Sequence, residues 1–164
     1  MNRKSVFTLM ALFSILLLVG CKADKPSQNV EAESTKGSIL YENKNYDLSI
    51  KENADWKFKS DADTNNLNVI LSHGKSQAII SSVSSDRTFA DIKQELKAST
   101  ENIEIISEEN NTLSYQSTFE DAVRTDVYFK EHNKSVNLII IFMSPVSAYE
   151  QTKPNIESLL NHIK

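Results

Sequence analysis

Val136-Asn137-Leu138-Ile139-Ile140-Ile141-Phe142-Met143 decides the fold. Beyond Asn137 both alternating sets of side chains are apolar, and a strand of that kind is covered on both of its faces. The stretch therefore predicts a central strand with one layer above the sheet and another below. Two segments of helical spacing are available to form those layers. Thr88 opens the first: its hydroxyl can cap, Asp91 stands three residues on, and Phe89, Ile92 and Leu96 share a face, with Lys93, Gln94 and Lys97 turned to water. The second follows Ser144-Pro145 and a short helical turn. Pro154 is expected there at a first helical position, with Ile156, Leu159, Leu160 and Ile163 repeating along one side.

Outward from the central strand, Ile103 to Glu108, Thr112 to Phe119 and Val123 to Lys130 also read as strands, joined through Asn110-Asn111, Glu120-Asp121 and His132-Asn133-Lys134. Turns this short require antiparallel neighbours. Upstream, Ile39 to Glu42 and Tyr46 to Ile50 flank Asn43-Lys44-Asn45 as a hairpin, and Leu67 to Ser72 returns through His73-Gly74-Lys75-Ser76 to Ala78-Ile79-Ile80 as a second. Lys51 to Asn66 is polar except for Trp56 and Phe58, and is expected to be a loop tucked onto the core by those two aromatics. The order becomes β-β-β-β-α-β-β-β-β-α. The fold class is α+β, a central antiparallel sheet flanked by helices, in a single domain over residues 38–164.

Candidate chemistry is sparse along this domain. Asp61-Ala62-Asp63-Thr64-Asn65 opens like a calcium loop, but Asn66 and Ser72 stand where that loop needs its glycine and its bidentate glutamate. His73, His132 and His162 fall in two turns and near a helix end, with no pair at a metal-ligand spacing, so no metal and no cofactor is expected. Ser81, Ser82, Ser84 and Ser85 lack the flanking glycines of a nucleophile elbow. Glu108-Glu109 and Glu120-Asp121 are paired acids at turns, where carboxylates are ordinarily solvated, so no catalytic residue is assigned. The most suggestive surface is the hairpin from Thr112 to Lys130. Ser114, Gln116 and Thr118 alternate with core-pointing Leu113, Tyr115 and Phe119, and Arg124, Asp126 and Tyr128 share one face of the next strand. Arg and Tyr are enriched in binding hot spots, which makes Arg124, Asp126 and Tyr128 the candidate binding residues.

Ahead of the domain the chain reads differently. Arg3 and Lys4 precede Val6 to Val19, an apolar run interrupted only by Thr8 and Ser14, which ends in Leu18-Val19-Gly20-Cys21 and is followed by charged Lys22, Asp24 and Lys25. The run is shorter than the roughly 20 residues a spanning helix needs. It resembles the signal peptide and lipobox of bacterial lipoprotein precursors, which implies cleavage between Gly20 and Cys21 and a diacylglyceryl thioether on Cys21. Cys21 is the single cysteine, so lipidation would leave no thiol for a disulfide, a nucleophile or a metal. Residues 1–20 are then the signal peptide and 21–37 the lipidated cysteine with its tether. The segment after the cysteine has Val30 as its only large apolar side chain and would span roughly 20–24 Å as a flexible coil. Loss of Arg3 and Lys4 takes the formal charge from −4 to −6, which disfavours nucleic acid and leaves membrane attachment to the lipid on Cys21.

Asn45 to Ile50 followed by Trp56, the helix at Thr88, the run of hairpins, and Tyr149 to Ile163 with Pro154 resemble the PsbP-type α-β-α sandwich. That fold is shared by the extrinsic photosystem II subunit of that name, a Ran-binding nuclear-import factor and many small bacterial lipoproteins. The resemblance implies a binding module, since the characterised members stabilise protein assemblies, and it carries over no functional residue. The expected protein is a lipid-anchored, extracytoplasmic, non-enzymatic adaptor that contacts an envelope or membrane protein. The alternative is a lipoprotein holding a small solute or envelope polymer between a helix and the sheet, with Trp56, Tyr41 and Tyr128 lining the cleft.

Overall fold

Nine strands and two helices follow one another in the computed structural model, which describes residues 38–53 and 55–164. The segments expected to be signal peptide, lipobox and tether, residues 1–37, lie outside the described residues. The elements are β1 (Ile39–Asn43), β2 (Leu48–Lys51), β3 (Lys57–Asp63), β4 (Leu67–His73), β5 (Ser76–Ser84), α1 (Phe89–Ser99), β6 (Ile103–Glu108), β7 (Thr112–Ser117), β8 (Val123–Glu131), β9 (Val136–Pro145) and α2 (Tyr149–His162), with a 3-10 turn at Val146–Ala148 before α2. β1 and β2 pair as a separate hairpin. The other seven form one antiparallel sheet in the order β3-β4-β5-β9-β8-β7-β6.

β9 occupies the middle of that order, and its alternation sorts the core. Leu138, Ile140 and Phe142 are buried on one face with Ile156 and Leu159 of α2, with Ile163 just past its end, and with Leu48 and Ile50 of β2. Ile139 and Ile141 point the other way, to Phe89 and Ile92 of α1 with Leu113 and Val127. Each helix therefore covers one face, as the doubly apolar strand requires. At the far end of α2, Ile163 bridges to Ile50, and Ser49 and Lys164 exchange both backbone hydrogen bonds, at 2.9 and 2.8 Å. The hairpin and α2 thereby form one layer.

Five expectations are corrected. Lys57–Asp63 is an edge strand rather than a loop: every residue of β3 is exposed, and charges on both sides hide the pattern while protecting the edge. Trp56 is buried there as expected, whereas Phe58 is 41 % exposed and stacks on Tyr41 with centroids 5.5 Å apart. Pro154 lies inside α2, which begins at Tyr149. Its ring removes one helical hydrogen bond, and the burial of Thr152, Ile156 and Leu159 on one stripe holds the helix across the gap. Lys93 lies over the Phe89 ring instead of facing water, with its ammonium on Glu108 at 3.2 Å and the Glu109 carbonyl at 3.1 Å. β7 ends at Ser117, two residues before Phe119, so Phe119 does not point into the core and is 62 % exposed.

The helix start at Thr88 is built as its sequence implies. Thr88 Oγ1 accepts from the Asp91 backbone N–H at 3.2 Å and donates to the Asp91 carboxylate at 2.6 Å, which holds that carboxyl below its ordinary pKa.

Candidate functional site

The strand registers lay one polar row across the α2 face of the sheet. His73 of β4 pairs with Ser76 of β5, and Ser144 of β9 pairs with Arg124 of β8, then Gln116 of β7 and Glu104 of β6. Ser144 Oγ donates to Ser76 Oγ at 2.8 Å and joins the two halves of the row. The row lies beneath the N-terminal part of α2, where Thr152 Oγ1 stands 3.4 Å from Ser76 Oγ and donates to the Ala148 carbonyl at 3.1 Å. Ser76, Ser144 and Thr152 are all buried, so their hydroxyls satisfy one another. Their partners are hydroxyls and a carbonyl, not a base.

Arg124, Asp126 and Tyr128 do share one face of β8, and α2 covers it. Arg124 Nε donates to Asp126 Oδ1 at 3.1 Å, and the guanidinium lies 4.3 Å from the Tyr149 ring centroid at the first residue of α2. Asp126 is 2 % exposed, and its Oδ2 is buried without a hydrogen-bond partner among the described residues. Arg124 keeps 21 % of its side chain exposed, so the pair is anchored inside and reaches the surface through its cation. Burial, followed by the Asp126 charge, raises the Tyr149 and Tyr128 phenol pKa values above the ordinary tyrosine range. These residues form a fixed joint between β8 and α2.

The aromatic lining expected for a solute cleft is divided. Trp56 is packed edge-on to Phe142 at 5.8 Å and beside His73 at 5.6 Å, and its indole N–H donates to the Asn155 carbonyl at 3.1 Å. Tyr128 packs edge-on to the same Phe142 at 5.8 Å, and Tyr41 donates its hydroxyl to Asp61 at 2.8 Å. All three belong to the α2-side core or its margin. The calcium-like stretch is also engaged internally, since Asp63 accepts from the Tyr46 hydroxyl at 2.9 Å. His132 and His162 contact the Tyr46 and Ser158 carbonyls at 2.9 and 2.7 Å, and His73 Nε2 faces the Asn155 amide at 3.4 Å. Among the described residues no three of His, Cys, Asp and Glu converge as a metal site.

Just outside the polar row, the same end of the sheet opens into a shallow groove between the β7–β8 turn and the link from β9 to α2. Lys75, Glu120, Asp121, Val123, Pro145 and Val146 line it. Val123 and Val146 are 37 % and 42 % exposed, and Phe119 adjoins Glu120. Sequence reasoning missed both the buried joint and this groove. Ser144 interrupting an apolar strand and Thr152 preceding Ile156 by one turn were readable signals for the joint. The turn that carries Phe119 outward depends on long-range contacts and was not.

The architecture is an α-β-α sandwich of the PsbP type. The solution structure of cyanobacterial PsbP (CyanoP) from Synechocystis sp. PCC 6803 is similar to it with a TM-score of 0.50 at 12% sequence identity, over 85% of this chain and 99% of that chain. No protein-family model and no curated protein matches the sequence.

Proposed function

We propose that the chain is a lipid-anchored, extracytoplasmic, non-catalytic binding module that contacts another protein of the membrane or cell envelope. The observation that carries the reading is Leu18-Val19-Gly20-Cys21 placed before a polar spacer and a folded domain. Two acyl chains on Cys21 would bury tens of methylenes at about 0.8 kcal/mol each, enough for lasting attachment. The PsbP-like fold supports a binding role by analogy. The packing supports it more directly. Both sheet faces and both helices are engaged in core contacts, and the polar groups beneath α2 are engaged with one another. What such a body offers outward is its strand edges and the loops at the ends of the sheet.

The test compares the full-length precursor with Cys21→Ala in cells, measuring membrane retention and crosslinked co-purifying proteins together. The expected result is that the wild type is retained with a reproducible envelope protein and that Cys21→Ala loses both. Retention of Cys21→Ala in the membrane would overturn the lipid anchor, and retention of the wild type with no protein partner would overturn the adaptor role.

A further inference from the structure

The β7–β8 turn holds an aromatic side chain in water where the fold has no use for it. The inward positions of β7 are filled by Leu113 and Tyr115, and the strand stops at Ser117. The turn is then fixed on three sides: Thr118 N–H donates to the Asn102 carbonyl, Val123 N–H to Ser117 Oγ, and Val146 N–H to the Ala122 carbonyl, each at 2.9 Å. A tip pinned in this way holds Phe119 at 62 % exposure next in sequence to Glu120, which lines the groove together with exposed Val123 and Val146. Ordering is already done before binding, which is the condition under which a small apolar patch can bind a partner. The rim carries Glu120 and Asp121, neither in an ion pair among the described residues, with Lys75 as the one cation of the groove.

We infer that this end of the sheet is the docking surface for a protein segment that presents an aliphatic side chain next to a lysine or arginine. The aliphatic group packs on Phe119, Val123 and Val146, and the cation pairs with Glu120 and Asp121. The acidic rim favours a basic segment and opposes the anionic headgroups of a membrane, since an interfacial patch gains its electrostatic attraction from Lys and Arg. The patch is far smaller than the interface of a stable free complex, about 1,600 Å² in total. The contact therefore relies on anchoring, because confinement near a membrane-resident partner raises the effective concentration. This inference rests on the proposed binding-module reading.

The test places the photo-crosslinker p-benzoylphenylalanine at Phe119, and separately at Phe58 and at Ile106, an exposed apolar residue of β6, in the full-length chain in growing cells. Adducts are mapped to the residue by mass spectrometry. The expected adduct arises from position 119 and maps to an envelope-protein segment with Lys or Arg beside the crosslinked residue. Reversal of the rim by Glu120→Lys with Asp121→Lys should lower its yield about ten-fold at unchanged membrane abundance of the protein. An adduct to lipid, to a second copy of this chain or to a segment without a cation, or a yield unmoved by the reversal, overturns the inference. Adducts from 58 or 106 but not 119 overturn it while leaving the binding module standing. Silence at all three positions removes both.

Discussion

On the α2 side of β9, fourteen residues of the described chain are buried in one cluster, drawn from β2, β4, β5, β9 and α2 with Trp56 and Ile163, whereas five are buried on the α1 side. The larger layer is tied at its far end by the Ile50–Ile163 bridge and at its near end by Arg124, Asp126 and Tyr149. The smaller layer relies on Phe89 and Ile92 and on Lys93 and Lys97 reaching Glu108 at the surface. Those ion pairs hold the Glu108 carboxyl below its ordinary pKa, but exposed pairs contribute little to stability. One helix is embedded and the other is laid on. Among the described residues most of the buried polar groups, Ser76, Ser82, Ser114, Asp126, Ser144 and Thr152, lie on the α2 face, where more apolar packing surrounds them to offset their desolvation, and Thr125 and Asn137 lie on the other.

Truncation on the two sides should show the largest difference. Phe142 is 1 % exposed and touches both Trp56 and Tyr128, so Phe142→Ala should cost about 4–5 kcal/mol in urea unfolding, the upper part of the range for a phenylalanine. Phe89 is 5 % exposed and stacks on Phe129 at 5.5 Å, and Phe89→Ala should cost about 3 kcal/mol, because a lone helix can settle into the gap. Equal costs would break the comparison. The joint beneath α2 is the next test. Arg124→Leu leaves the Asp126 carboxylate buried without its cation and should cost about 3 kcal/mol, the low end for a broken buried pair because Arg124 is partly exposed. Arg124→Leu with Asp126→Leu should recover much of that loss, and a double variant no better than the single would show that the pair is not acting as a unit.

The legible part of this chain was the part whose side chains report their own burial. Leu138 to Phe142 announced both layers because no other environment suits two apolar faces, and Thr88 with Asp91 announced the start of α1. β3 was hidden because an edge strand has no buried face to write an alternation, and Lys57, Lys59, Asp61 and Asp63 resemble a loop for the same reason they block edge pairing. At the site, the shared face of Arg124, Asp126 and Tyr128 followed from strand period alone. That α2 covers them did not, since it depends on where Tyr149 lands after the 3-10 turn. Phe119 failed for the opposite reason: an aromatic two residues past a strand end reads as core until the contacts of Ser117, Thr118 and Ala122 show the chain already turning.

A finer test uses pH, because the tyrosines whose phenols are displaced upward all border the α2-side core. Tyr149 and Tyr128 are raised mainly by burial, with Asp126 adding to both; Tyr41 is raised mainly by burial, and Tyr46 mainly by its hydrogen bond to Asp63. A phenol whose folded value lies above its unfolded value of 10.0 stabilises the fold below that pH, and the contribution is lost as pH rises through the folded value. Alkali should therefore loosen the α2 layer selectively. Trp56 is the single tryptophan and sits in that layer, so its emission should shift to longer wavelength as the pH is taken above 10. Tyr149→Phe removes one of the ionisations that drive the shift and leaves the ring over Arg124, so its transition should move to higher pH, with stability below pH 10 changed little. An unchanged transition in Tyr149→Phe would assign the alkaline limb to the other tyrosines. A Trp56 emission indifferent to alkali would mean that the embedded layer does not depend on keeping its phenols neutral.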